Sequence, residues 1–273
     1  LENLSQDEIF FENFTNEVTD DANDVLSPSG LKSTYSLPCN ADLDTLIVQD
    51  TIIYTLTYHG ANCNNTKIRY GKIRIKKLLN TNWSQAGAIL SLQFINLKVA
   101  KATNPTKWLL FNGKKTWENV SGGLIKNLTA TNVNPVIHQI SGNLQIMFAD
   151  STTRTWNVAR KKTFTGVYPG ALVLTIEGFG NANGYSNLVT WGTNRDNEAF
   201  YTSISTPVVV KQSCYWLPSA GVKTHQIPSD NKSATITFGF DLNNQPVTGG
   251  NCAQKYKVDW VKGSASGSFF AYL

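Results

Sequence analysis

Six of the chain's 24 lysines and arginines fall within twelve residues, Thr66 to Lys77 (TKIRYGKIRIKK). Lys67, Arg69, Lys72, Arg74 and Lys76 alternate with apolar residues, the pattern of a strand with one charged side. Five cations in a row on a strand face can hold phosphate groups or acidic sugars. The same row can instead be a solvated surface, or be paired within the chain. The phase changes at Gly71, where cations pass from odd to even positions. One extra residue there, a bulge, would return all five to one face and leave Tyr70 on the apolar side. Nucleic-acid binding is not expected, because single-strand readers place stacking aromatics on the cationic face.

Seven tryptophans could supply a platform on which a sugar stacks. Trp83, in the polar run Asn80 to Gln85, is the one expected at the surface. Other chemistry is scarce. His59, His138 and His225 lie far apart and form no H-x-x-H pattern, so no metal site is expected. Gly263-Ser264-Ala265-Ser266-Gly267 has the outline of a nucleophile elbow but carries Ala at the nucleophile position. The glycine-rich GFGNANG, residues 178–184, precedes no helix and so makes no phosphate loop or cofactor cradle. A glycosidase needs only two carboxylates; Glu118, Asp150, Glu177, Asp196 and Glu198 are the mid-chain candidates. Asp196 and Glu198 flank Asn197 in what reads as a solvated hairpin tip. The residues therefore predict a non-catalytic protein without cofactors, the rivals being a carbohydrate hydrolase and a polyanion binder.

The elements that carry these residues read almost wholly as strands. Residues 45–58, 88–100, 143–149, 171–177, 199–204, 207–211 and 234–240 are rich in β-branched and aromatic residues, often alternating. Turn clusters such as Asn112-Gly113, Ser121-Gly122-Gly123 and Gly249-Gly250-Asn251 separate them. The class is all-β and antiparallel, as sandwich- or barrel-like modules. The exception is the head. Ser5-Gln6-Asp7-Glu8 is a capping box, and Phe10, Phe14, Val18 and Ala22 form an apolar stripe, so residues 1–30 predict an acidic amphipathic helix and linker. Two modules, 31–165 and 166–273, are expected, with one continuous domain over 31–273 as the alternative.

Charge is divided in the same way. Residues 1–31 hold eight acids and no Lys or Arg, while the rest of the chain carries 24 bases against 11 acids. An acidic head on a basic body either neutralises it or keeps the chain soluble. At 41% hydrophobic and 16% charged residues the chain can build a core and is not disordered. No apolar run approaches the roughly 20 residues that span a bilayer. The chain opens at Leu1 without a basic or apolar leader, as expected of a mature form whose targeting segment has been removed.

Cys39, Cys63, Cys214 and Cys252 form no CxxC pair, which points to two disulfides and an oxidising compartment. A weak repeat arranges them: Cys, strand, Asn-Cys and cationic strand occur once from Cys39 and again from Cys214. That parallel favours Cys39–Cys63 and Cys214–Cys252, each bridge stabilising by roughly 3–4 kcal/mol.

Several short motifs recur in one order: the acidic head, Pro38-Cys39, Asn62-Cys63 and Arg69-Tyr70-Gly71-Lys72-Ile73. Thr153-Arg154-Thr155-Trp156, Gly192-Thr193-Asn194-Arg195, Pro207 to Lys211, Cys214-Tyr215-Trp216 and Asn251-Cys252 follow. In these the chain resembles a group of uncharacterised secreted lipoproteins of Bacteroidota-type bacteria. The resemblance implies export to the cell surface or periplasm and a lipid anchor on an N-terminal Cys that this sequence lacks. It implies no catalytic residue. The partner expected is a glycan or another surface component.

Overall fold

The computed structural model describes residues 37–273 together with Phe11, Phe14 and Asp21. The expected head helix lies outside the described residues apart from those three positions. The described chain is built from β1 (Ala41–Val48), β2 (Thr51–Ala61), β3 (Lys67–Leu78), β4 (Ala88–Lys101), β5 (Asn104–Asn119), β6 (Val136–Phe148), β7 (Thr153–Val167) and β8 (Ala171–Gly178). There follow β9 (Gly180–Ala182), β10 (Tyr185–Thr193), β11 (Ala199–Lys211), β12 (Pro218–Ile227), β13 (Lys232–Phe240), β14 (Lys255–Lys262) and β15 (Ala265–Tyr272). The class is all-β and antiparallel, as the alternation predicts.

The strands are hydrogen-bonded in one continuous path, and β1 and β15 are not paired with each other. From β1 to β7 every strand lies beside its neighbour in sequence, and β10 to β15 continue in the same manner. β8 reaches both β7 and β11, and β9 pairs with β10. The stretch expected to divide two modules lies in the β7–β8 hairpin, where Gly166 pairs with Leu172 and Val167 with Ala171.

Bends across the sheet come from a bulge on β4 and from a glycine on the strand to each side of it. Tyr70 pairs with Lys98 and Lys72 with Ile95, so β4 carries one residue more than β3. Asn96 sits in that bulge with φ 47°, and its N–H donates to the Asn112 side chain at 2.8 Å. Gly71 faces it at φ 109°; a Cβ there would stand 2.1 Å from the Asn96 carbonyl oxygen. Gly113 on β5 is confined in the same way by Asn143 of β6. Such aligned kinks curve a sheet toward one face.

The inner face holds the main core. Leu56, Ile73, Ile75, Leu92, Phe94, Leu97, Phe111, Leu144, Ile146 and Trp156 are all nearly inaccessible to water. Phe11 and Phe14 of the head join the same cluster, as do Phe200 and Ile227 from β11 and β12. Phe14 stacks on Phe111 with ring centroids 4.8 Å apart, and Phe11 meets Phe111 edge-on at 5.9 Å and Trp156 at 5.7 Å. Burying each such ring stabilises by about 1.5–3 kcal/mol.

The cysteines pair as the repeat indicates. Cys39–Cys63 joins the entry of β1 to the turn after β2, and Cys214–Cys252 joins the end of β11 to the segment before β14. No free cysteine remains.

Candidate binding site

The basic strand does not present five cations on one side. β3 keeps an unbroken period of two beside β2, with His59, Tyr58 and Thr57 opposite Tyr70, Gly71 and Lys72. The extra residue belongs to β4, so nothing shifts the β3 side chains at Gly71. Lys67 and Arg69 therefore share the inner face with Ile73 and Ile75, while Lys72, Arg74 and Lys76 share the outer face with Tyr70. The expected bulge exists, on the neighbouring strand, and its consequence for the cations is the reverse of that expected.

Arg69 is 1% exposed. Its Nη1 donates to Asp21 of the head at 2.7 Å, and its guanidinium lies over the Tyr58 ring at 4.4 Å. The Tyr58 hydroxyl donates to the same Asp21 oxygen at 2.7 Å. Lys67 reaches over Phe14, Lys115 over Trp156, and Arg154 lies over both Phe11 (5.0 Å) and Phe200 (4.4 Å). A cationic, aromatic inner face thus receives the described residues of the acidic head.

Trp83, expected at the surface, is half-buried against the main core. The reason is Asn119, buried on β5, whose Nδ2 donates to the Trp83 carbonyl at 2.7 Å and the Gly123 carbonyl at 2.9 Å. The polar run around Trp83 is thereby tied to the sheet, and its ring rests 5.2 Å from that of His138. Phe164 closes the other side of His138 at 5.4 Å. Burial, with help from nearby Lys162, lowers the His138 pKa from 6.5 to about 4. The unfolded chain then takes up the proton first as pH falls. Stability is full above pH 6.5 and declines between there and pH 4, by about 3 kcal/mol. Urea midpoints measured across that range check this, and His138→Phe should flatten the profile.

The other histidines serve packing and pairing. His59 stands 3.6 Å from Asp42, and buried His225 shares a hydrogen bond of 3.0 Å between Nδ1 and Thr202 Oγ1. No group of three or more metal-ligating side chains occurs among the described residues. Asp196 and Glu198 lie in the β10–β11 turn, organised by Asn194, whose Oδ1 accepts both of their backbone N–H groups. Glu177 is paired with Lys161 at 3.0 Å.

The feature that residue patterns alone did not single out lies on β12 to β15. Beyond Phe200 and Ile227 the inner face continues into an open hollow of about 830 Å³. Ala234, Ile236, Tyr256, Val258, Trp260 and Phe269 line it, with His225 at its inner wall and Lys232 and Lys262 at one end. Trp260 lies opposite Gly267, where a Cβ would come within 2.8 Å of the ring, so the glycine lets the indole lie flat across β15. Phe269 is half exposed. Among the described residues, no carboxylate or side-chain amide belongs to the lining. The size is that of a small-molecule site, where apolar and aromatic walls surround a few polar groups. The chain matches no family model, no curated protein and no solved structure.

Proposed function

We propose that this is an exported, non-catalytic protein of the cell surface or periplasm that takes up a surface component in the hollow of β12–β15. The observation that carries the reading is a cavity of ligand size with Tyr256, Trp260 and Phe269 in its wall. Two disulfides are compatible with the extracellular setting, since such bonds persist where the milieu is oxidising. A glycan was the partner expected from the tryptophans. A polyhydroxylated ligand brings many donors, and the lining offers no carboxylate or amide to accept them, so the part of the ligand held inside is apolar.

A second reading draws on the outer face. Tyr70, 51% exposed, stands beside Lys72, Arg74 and Lys76, which supplies the aromatic neighbour that polyanion sites use.

One array bearing glycans, heparin and amphiphiles, run at two salt concentrations, tests both. Capture by the hollow should fall at least tenfold in Trp260→Ala and change little with salt. Capture of heparin that drops steeply with salt and ignores Trp260→Ala would favour the outer face. Uniformly flat signals would remove both readings.

A further inference from the structure

The lining of the hollow is ordered along the strands. Register sets four successive rows: Tyr256; Ile236 with Val258 and Phe269; Ala234 with Trp260, opposite Gly267; and Lys232 with Lys262. The first three rows are apolar or aromatic. The last holds two cations. From Tyr256 to Lys262 the rows span roughly 20 Å at the rise of an extended strand. Lys232 is ion-paired with Asp230, whereas Lys262 is exposed and makes no ion pair among the described residues. The polarity of the wall thus runs one way, from rings to ammonium groups.

We propose that the hollow binds an amphiphile whose apolar body lies along the strands and whose single anionic end meets Lys262 and Lys232. A fatty carboxylate is the simplest member of the class. This rests on the reading of the hollow as the ligand site and adds the ligand's chemistry to it. An aliphatic chain gains from leaving water along three apolar rows. An anionic end finds positive charge only at the lysine row, which fixes its direction in the hollow. A ligand with a cationic end would set like charges together, and a neutral one would bring no counter-charge to Lys262.

The experiment titrates the full chain with dodecanoate, dodecanol and dodecyltrimethylammonium below micelle formation, following tryptophan fluorescence and heat. Dodecanoate should bind at least tenfold more tightly than either analogue. The double variant Lys232→Gln/Lys262→Gln should erase that preference while leaving dodecanol affinity unchanged. Equal affinity for acid and alcohol would overturn the anionic class and leave the hollow as the site. Failure of all three, with glycans or heparin captured elsewhere, would overturn both. Lysophosphatidylglycerol distinguishes the sources: its binding assigns the anion to a lipid headgroup, and its exclusion beside bound dodecanoate assigns it to a free acid.

Discussion

Arg69→Ala is expected to destabilise the protein by about 4 kcal/mol, the loss seen when one partner of a buried ion pair is removed. The guanidinium is almost wholly excluded from water, and its partner Asp21 is itself mostly covered. Truncation takes the guanidinium away from an Asp21 carboxylate that also accepts from the Tyr58 hydroxyl, in a place where charge is poorly solvated. It also removes the cation over the Tyr58 ring. Replacing both charges, in Arg69→Met/Asp21→Leu, should recover most of the loss, because an apolar pair needs no compensation. Chemical denaturation of the four members of this cycle gives the coupling directly. A loss below 1 kcal/mol for Arg69→Ala would mean that the head does not close over β3 in solution.

Phe11→Ala should cost nearly as much, about 3–4 kcal/mol, although it lies outside the sheet. Its ring is fully buried and meets Phe111, Phe148 and Trp156, with the Arg154 guanidinium against it. Removing the ring opens a void between β5, β6 and β7 that those stiff aromatics fill poorly. Thermal or urea unfolding measures the effect. A head merely tethered to the surface would make the substitution neutral.

These two positions also mark where residue patterns were sufficient and where they were not. Alternation in β2, β4, β6 and β13 names the strands, because a side chain's face follows directly from its place in an extended run. The Cys-strand-Asn-Cys parallel gives the disulfides, because each bridge is local. The bulge was misplaced for a physical reason. A phase change in one strand can be absorbed by an extra residue in its neighbour, and Asn96 in β4 does this against Gly71. For Arg69 the solvated, internally paired and ligand-binding readings stayed open, because its partner Asp21 is 48 residues away in sequence. Trp83 was read as exposed because its anchor, Asn119, lies on β5. The hollow has little local signature: its lining comes from four strands and is assembled by register. The one available signal was the row of even-numbered Tyr256, Val258 and Trp260, which a core strand would show equally.

The order of the bridges has a consequence for how the chain matures. Each cysteine is joined to the next one along: the first to the second, the third to the fourth. In a chain oxidised as it emerges N-terminal end first, Cys63 is available to Cys39 before Cys214 has appeared. Simple consecutive oxidation therefore yields the native set, and reshuffling is required only if the whole reduced chain is presented at once. A sheet whose leading strands stack in the order of synthesis follows the same timetable, because nearly every pairing needed early is with the segment just made.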